Sequence, residues 1–239
     1  MPVTADVSSR LAALVDRYAL LDGATEQLAL LLELVEAEPS AITTVRDPRE
    51  GADVHVADSL VALELSEVRE ARRIADLGSG GGFPGLVLAI ALPQATVTLV
   101  ESVGRKVAFM NSAIERLALG NVQAIQARAE EWPAGITAHD LVTARALAPL
   151  PVLVEYAAPL LELGGSLVAW KGVRDGKEEA DGQAAAAALG MTELRYEAVK
   201  PFATARDRNL YLGSKVRSTP ARYPRRAGMA RKRPIRAST

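Results

Sequence analysis

From about Ser8 to Glu36 the apolar residues recur at helical spacing. Leu11, Leu14, Val15 and Tyr18 share one face, and Ser8 or Ser9 can cap the helix they form. Gly23 breaks the run, Thr25 can cap a second helix reaching Glu36, and Pro39 ends it. Val45–Gly51 reads as a loop and about Asp53 to Leu65 as a short helix. After that the period changes. Arg73–Leu77 is a short apolar run closed by glycines, with a helix predicted over Leu86–Leu92. Thr96–Val100 is β-branched and ends at Glu101, and Lys106–Leu117 carries Val107, Met110, Ile114 and Leu117 on one helical face. Further strands are predicted at Val122–Ala127, Leu141–Thr143, Ser166–Trp170, Met191–Tyr196 and Asn209–Gly213, with helices at Val152–Leu161 and Ala180–Leu189. Strands alternating with helices of these lengths imply an α/β fold with a mostly parallel seven-stranded sheet covered on both faces. Right-handed crossovers then gather the strand C-termini, and with them any ligand, along one edge. The chain divides on this reading into a helical extension (1–66), an α/β domain (67–214) and a tail (215–239).

Chemistry concentrates where the first strand stops. Asp76-Leu77-Gly78-Ser79-Gly80-Gly81-Gly82-Phe83-Pro84-Gly85 leaves a strand and opens a helix. Glycines there let the backbone turn sharply and approach a ligand closely. Gly80-x-Gly82-x-x-Gly85 also fits the dinucleotide fingerprint, a weak signal by itself that keeps an NAD-linked oxidoreductase open. Asp76 tips the balance towards S-adenosylmethionine, since a carboxylate suits an ammonium and a sulfonium better than a pyrophosphate. Glu101, 23 residues after Gly78, ends the next strand, where an acid can accept both ribose hydroxyls of either cofactor. At the third strand end, the backbone of Ala129 and the side chain of Glu130 are expected beside the adenine. Glu130 is otherwise a solvated acid at a helix start. The fourth strand ends at Thr143-Ala144-Arg145-Ala146, without the Asn/Asp-Pro-Pro-aromatic motif of many exocyclic-amine methyltransferases. Arg145 there suits an anion or a stacked base. Lys171 at the fifth strand end is either a phosphate contact or a solvated strand end.

Composition narrows the setting. Without cysteine there is no disulfide and no Cys-based zinc site, which points to a reducing cytoplasm. The first residues lack the basic start and apolar run of a signal peptide, and no apolar stretch approaches a bilayer span. The net charge of −1 conceals an asymmetry: residues 215–239 hold nine Lys or Arg and no acid, against 19 basic and 29 acidic residues elsewhere. A basic tail on an acidic body is either a grip on an anionic partner or a solubilising, disordered end. Of the two histidines, His55 is expected to hydrogen-bond at a helix start and His139 to lie at the surface.

Several blocks together resemble the ribosomal RNA small-subunit methyltransferase G family, also called glucose-inhibited division protein B. They are His55-Val56-Ala57-Asp58-Ser59-Leu60, Asp76 through Gly85, Glu101 through Lys106, Val142 through Ala146, Gly164-Gly165 and Trp170-Lys171-Gly172, with Tyr223-Pro224-Arg225-Arg226-Ala227-Gly228 and Lys232-Arg233-Pro234 in the tail, as in the family's longer members. The likeness runs from about residue 25 to the end. It implies a Rossmann-like class I methyltransferase that moves a methyl group from S-adenosylmethionine to N7 of the guanine at nucleotide 527 of 16S ribosomal RNA. The cofactor contacts it implies are Gly78, Phe83, Ala129, Glu130 and Arg145. Arg128 and Arg208 match basic positions assigned, with Arg145, to RNA or active-site contact. The family often carries Trp-Asn and Asn-Leu-Thr before the His-x-x-Asp-Ser block, and Glu36–Thr44 lacks them.

Guanine N7 has a free lone pair, so no general base is required, and catalysis rests on holding two atoms in line. N7 faces the deep groove of A-form RNA, so the target base is expected to be unpaired or drawn from its stack. Arg105, Lys106 and the tail are candidates to grip phosphates, which makes binding salt-sensitive. The expected partner is 16S RNA or the small ribosomal subunit, met by a monomer with no metal and no membrane. A small-molecule methyltransferase and a non-catalytic RNA-binding protein on the same fold are the remaining alternatives.

Overall fold

In the computed structural model, which describes residues 2–238, seven strands form one sheet in the order β3-β2-β1-β4-β5-β7-β6. They are β1 (Arg73–Leu77), β2 (Thr96–Glu101), β3 (Val122–Gln126), β4 (His139–Arg145), β5 (Leu161–Lys171), β6 (Arg195–Ala198) and β7 (Asn209–Ser214). The first five are parallel, and β7 runs antiparallel between β5 and β6. An NAD-binding doubly wound sheet continues in parallel across the corresponding positions, so the inserted β7 separates this fold from that rival.

Alternation along the central strands explains the two covered faces. Ile74, Leu99, Leu141, Val168 and Leu210 enter one apolar cluster; Ala75, Val100, Val142, Ala169 and Tyr211 enter the other. The first cluster is continuous with the N-terminal helices α1 (Ala5–Tyr18) and α2 (Ala24–Ala37), through Leu11, Leu14, Leu28, Leu31 and Leu32. α1 begins at Ala5, earlier than Ser8, and Gly23 rather than Thr25 precedes α2, in a left-handed conformation that glycine adopts at little cost (φ 86°).

The predicted loop over Val45–Gly51 is partly helical. Asp47 caps α3 (Pro48–Gly51) by accepting from Arg49 N–H at 2.9 Å, with Pro48 at the first turn. A π-helical turn (Ala52–Ala57), α4 (Asp58–Leu60) and a 3-10 turn (Val61–Glu64) then follow without a break, before α5 (Ser66–Arg69). The π turn carries His55, so this residue sits within a helical run and not at its start.

α6 (Gly85–Ala91) and α7 (Gly104–Arg116) lie on the face of the N-terminal helices. α8 (Leu150–Ala157) and α9 (Gly176–Leu189) pack on the other. Strand register does the rest. Leu77 pairs with Val100 and Ala144, Glu101 with Gln126, and Arg145 with Trp170, so the ends of five parallel strands are level along one edge.

The basic tail is neither disordered nor simply solvating. Lys215 is 2% exposed and donates to the carbonyls of Ala158 and Leu161 at 2.7 Å each, next to the end of α8, where a cation is favoured. Tyr223 and Ile235 pack against the second cluster, which includes Ala230 of the short helix α10 (Met229–Lys232). Arg225 makes a two-pronged ion pair with Glu155, itself 2% exposed on α8. His139 is also buried and not at the surface, because it pairs with Leu161 in the sheet and its ring packs 5.1 Å from that of Trp132.

Arg225→Ala would leave the Glu155 carboxylate buried and unpaired. We expect urea unfolding to show a loss of roughly 2–4 kcal/mol, with part of it regained in the Arg225→Ala/Glu155→Gln double variant.

Candidate functional site

The glycine loop is positioned by a carboxylate with no exposed surface. Asp76 is fully buried; its Oδ1 accepts from the Thr143 hydroxyl at 2.8 Å and its Oδ2 from Gly85 N–H at 3.2 Å. Burial pushes its pKa up to about 6 against the pull of those hydrogen bonds. A methyl group on Gly85 would collide with Asp76 and Leu99, which is why α6 can start so close to the strand. The expectation that Asp76 greets the positive end of the cofactor is therefore corrected: it faces the loop from behind, and the strand–loop–helix junction is built around it.

In front of the loop lies a cleft of about 260 Å³ across the ends of β1, β2 and β3. Gly78, Glu101, Ala129 and Glu130 line it, as do Lys106 and Arg128. Gly78 has φ 66° and sits against Leu147, so a side chain there would be both strained and obstructed. Glu101 accepts from Gly80 N–H (3.1 Å) at Oε2, and from Val103 N–H (2.9 Å) and the Ser102 hydroxyl (3.4 Å) at Oε1. Oε2, with one bond, keeps acceptor capacity for a hydroxyl. Arg128 is exposed and 3.8 Å from Glu131; Arg105 is absent from the cleft lining.

Phe83 and Arg145 are elsewhere. Neither lines this cleft: Arg145 lines a second one of about 460 Å³ with Thr43, His55, Asp58, Trp170 and Arg208 among others, and Phe83 lies behind His55. Ala146 borders both clefts. The His55 imidazole stacks flat on Phe83, with centroids 4.2 Å apart and planes 7° from parallel. The Arg145 guanidinium carbon is 5.8 Å from the same ring. Arg145 Nη1 donates to Asp58 Oδ2 (2.8 Å) and to the Val54 carbonyl (3.0 Å). Arg208 Nε lies 3.4 Å from Asp58 Oδ1, without the alignment of a hydrogen bond, and Trp170 Nε1–H donates to the Asp58 carbonyl at 2.7 Å. Lys171, also on this wall, pairs with Glu178 at 2.6 Å. Among the described residues, three buried polar atoms of the second cleft make no hydrogen bond: His55 Nδ1, and Asp58 Oδ1 and Arg208 Nε, which meet each other only as an ion pair. Buried polar atoms without partners are uncommon in folded proteins, and here they converge on one cavity.

The first cleft meets the demands of S-adenosylmethionine: a glycine cradle that a Cβ would spoil, an acid for a diol, and a strand end with backbone and carboxylate for a purine. Residues 25–211 match the family model for rRNA small subunit methyltransferase G. The chain belongs to that family. A ribosomal RNA small subunit methyltransferase G from Rubrobacter xylanophilus is 42% identical over 221 residues, 88% of this chain and 85% of that protein. One from Lactobacillus acidophilus is 35% identical, covering 91% and 94% respectively. Among solved structures, the S-adenosylmethionine-dependent methyltransferase SibL superposes with a TM-score of 0.57 over 90% of this chain and 71% of that one, at 16% identity. An S-adenosylmethionine-dependent O-methyltransferase from Thermotoga maritima gives 0.56 over 78% and 71%, at 18% identity. Both likenesses are of fold. Family membership makes the chain an S-adenosylmethionine-dependent rRNA methyltransferase.

Asp58 and Trp170 had a sequence signal only as parts of resembling blocks. Their roles in the second cleft come from helical spacing, which puts His55 and Asp58 on one face, and from the Arg145–Trp170 register. Among the described residues no group of three or more His, Cys, Asp or Glu is placed to hold a metal, and no helix is long and apolar enough to cross a membrane.

Burial lowers the pKa of His55 to about 4, aided by the nearby Arg145 charge and against the hydrogen bond to Val45. The unfolded chain therefore takes up a proton near pH 6.5 that the folded chain refuses. Stability from this group is present above pH 6.5 and is lost as pH falls towards 4. At pH 5 the loss relative to pH 7 should be about 2 kcal/mol, and His55→Phe should abolish that component in paired urea titrations.

Proposed function

We propose that the enzyme methylates N7 of the guanine at nucleotide 527 of 16S ribosomal RNA, drawing the base into the second cleft. The observation that carries this reading is the junction at Ala146. The cofactor cleft and a cavity lined by Arg145, Arg208, Lys171 and an acceptor carboxylate meet at one residue. When bound, S-adenosylmethionine supplies an electrophilic methyl carbon on a sulfonium.

The rest is the work of side chains. The His55–Phe83 stack and Arg145 make a flat, cationic wall suited to a base. Asp58 Oδ1 is an acceptor for the N1–H and amino edge of guanine, an edge that adenine presents with an opposite pattern at N1. Arg145 donates towards O6 and Arg208 towards the phosphate, leaving N7 turned to Ala146. Guanine N7 would offer its free lone pair to that methyl carbon with no proton to be moved, so the task of these side chains is to hold the base in line. His55 is uncharged at neutral pH, which agrees with a stacking role and not with acid catalysis. Arg128, exposed at the rim of the cofactor cleft, meets the RNA backbone on this reading. Such a substrate is met in the cytoplasm, by one copy of the chain acting alone.

Small-subunit RNA or subunits from cells lacking this activity should accept labelled methyl at that one N7. Gly78→Asp should abolish transfer, and Arg145→Ala should lower kcat/KM by about a hundredfold or more, the scale expected when reacting atoms lose alignment. Label at another atom or nucleotide would replace the N7 assignment while keeping the cofactor site.

A further inference from the structure

Nine basic residues at the C-terminus suggest an RNA grip, yet the chain turns several of them inward. Lys215 and Arg225 are held by α8 as described above, and Ala237 N–H donates to Asp181 on α9 at 2.9 Å. Between these anchors the tail crosses the mouth of the cofactor cleft. On one side Gly228 N–H donates to Glu130 Oε1 at 3.0 Å, beyond the end of β3. On the other, Arg231 Nη2 donates to the Leu147 carbonyl at 2.9 Å, beyond the end of β4. Arg231 lines the cleft together with Gly78, Glu101, Ala129, Glu130 and Tyr156.

We propose that the tail forms a wall of the cofactor site, and that Arg231 holds the adenine half of S-adenosylmethionine. The order of the strand ends assigns that half. The amino-acid end belongs by Gly78 at β1, and the ribose belongs by Glu101 at β2. The space bounded by Ala129, Glu130, Tyr156 and Arg231 remains for the base. Adenine is flat and offers ring nitrogens as acceptors. A guanidinium answers both properties, with a planar face for stacking and N–H donors beyond the one given to Leu147. Glu130 fits the same scheme: the carboxylate expected at the adenine is tied to Gly228 and so holds the strap in place. Arg231 is thus a cofactor-binding residue supplied by a segment whose charge alone assigns it to RNA.

This inference rests on the cofactor and not on the target base, so it can be tested with no RNA present. Isothermal titration would compare the full chain, Arg231→Ala, Arg231→Lys and Lys232→Ala, using S-adenosylhomocysteine and 5′-methylthioadenosine, which share the adenosine. Arg231→Ala should weaken both ligands by about tenfold, the scale of one stacking or charged contact, with Lys232→Ala unchanged. Arg231→Lys keeps a donor for Leu147 but lacks the flat face, and should also weaken both. It carries the comparison if the alanine variant melts early. Loss of S-adenosylhomocysteine binding alone would place Arg231 at the amino-acid end and overturn the assignment. Unchanged affinities for both ligands, with weaker binding of small-subunit RNA in a separate titration, would make Arg231 an RNA contact and overturn it too.

Discussion

Both oxygens of Asp76 are taken, one by the Thr143 hydroxyl across the sheet and one by the Gly85 N–H at the start of α6, and none of its surface reaches solvent. That one side chain therefore ties together β1, β4 and the helix that follows the glycine loop. The loop in turn sets the position of Gly80, whose N–H holds Glu101, and of Phe83, on which His55 stacks. Two clefts with different chemistry are hung from a single junction. A buried carboxylate is costly unless its acceptors are filled, and here the filling groups are the parts of the loop that must not move. Glycine at position 85 belongs to the same constraint, because any larger residue would occupy the space of the carboxylate.

Much of the sheet was legible because its central strands are buried on both faces and short. β1, β2, β3 and β7 begin and end within a residue of the apolar runs that predict them. β4 and β5 extend further than expected, to Leu161–Lys171 in the case of β5, since Gly164 and Gly165 lie in an irregularity where the register with β4 shifts, and the strand resumes on either side of it. Periodicity could not see α3, where an Asp-Pro cap starts a helix inside a polar stretch, nor the π turn, whose extra residue shifts the helical face. Phe83 and His55 are 28 positions apart in sequence, and only the packing of helix on loop reveals that they stack. Asp76 shows a different limit: residue type and position located it correctly at the strand end, but the direction of its side chain depends on Thr143, the register partner in a strand 67 residues away.

The tail illustrates why net charge is a poor guide to contact. A run with nine cations and no acid looks like a polyelectrolyte arm, yet an acidic body offers it internal partners, and the strongest of these are buried. Glu155 is nearly inaccessible, so its pairing with Arg225 costs both groups their hydration and persists only because the geometry is two-pronged. Once that pair on α8 and the Ala237–Asp181 bond on α9 fix the two ends of the segment, the residues between have little freedom. Their path over the cofactor cleft follows from where the anchors lie. The outward-facing arginines that remain, such as Arg222 and Arg236, keep their charge for a polyanion at longer range.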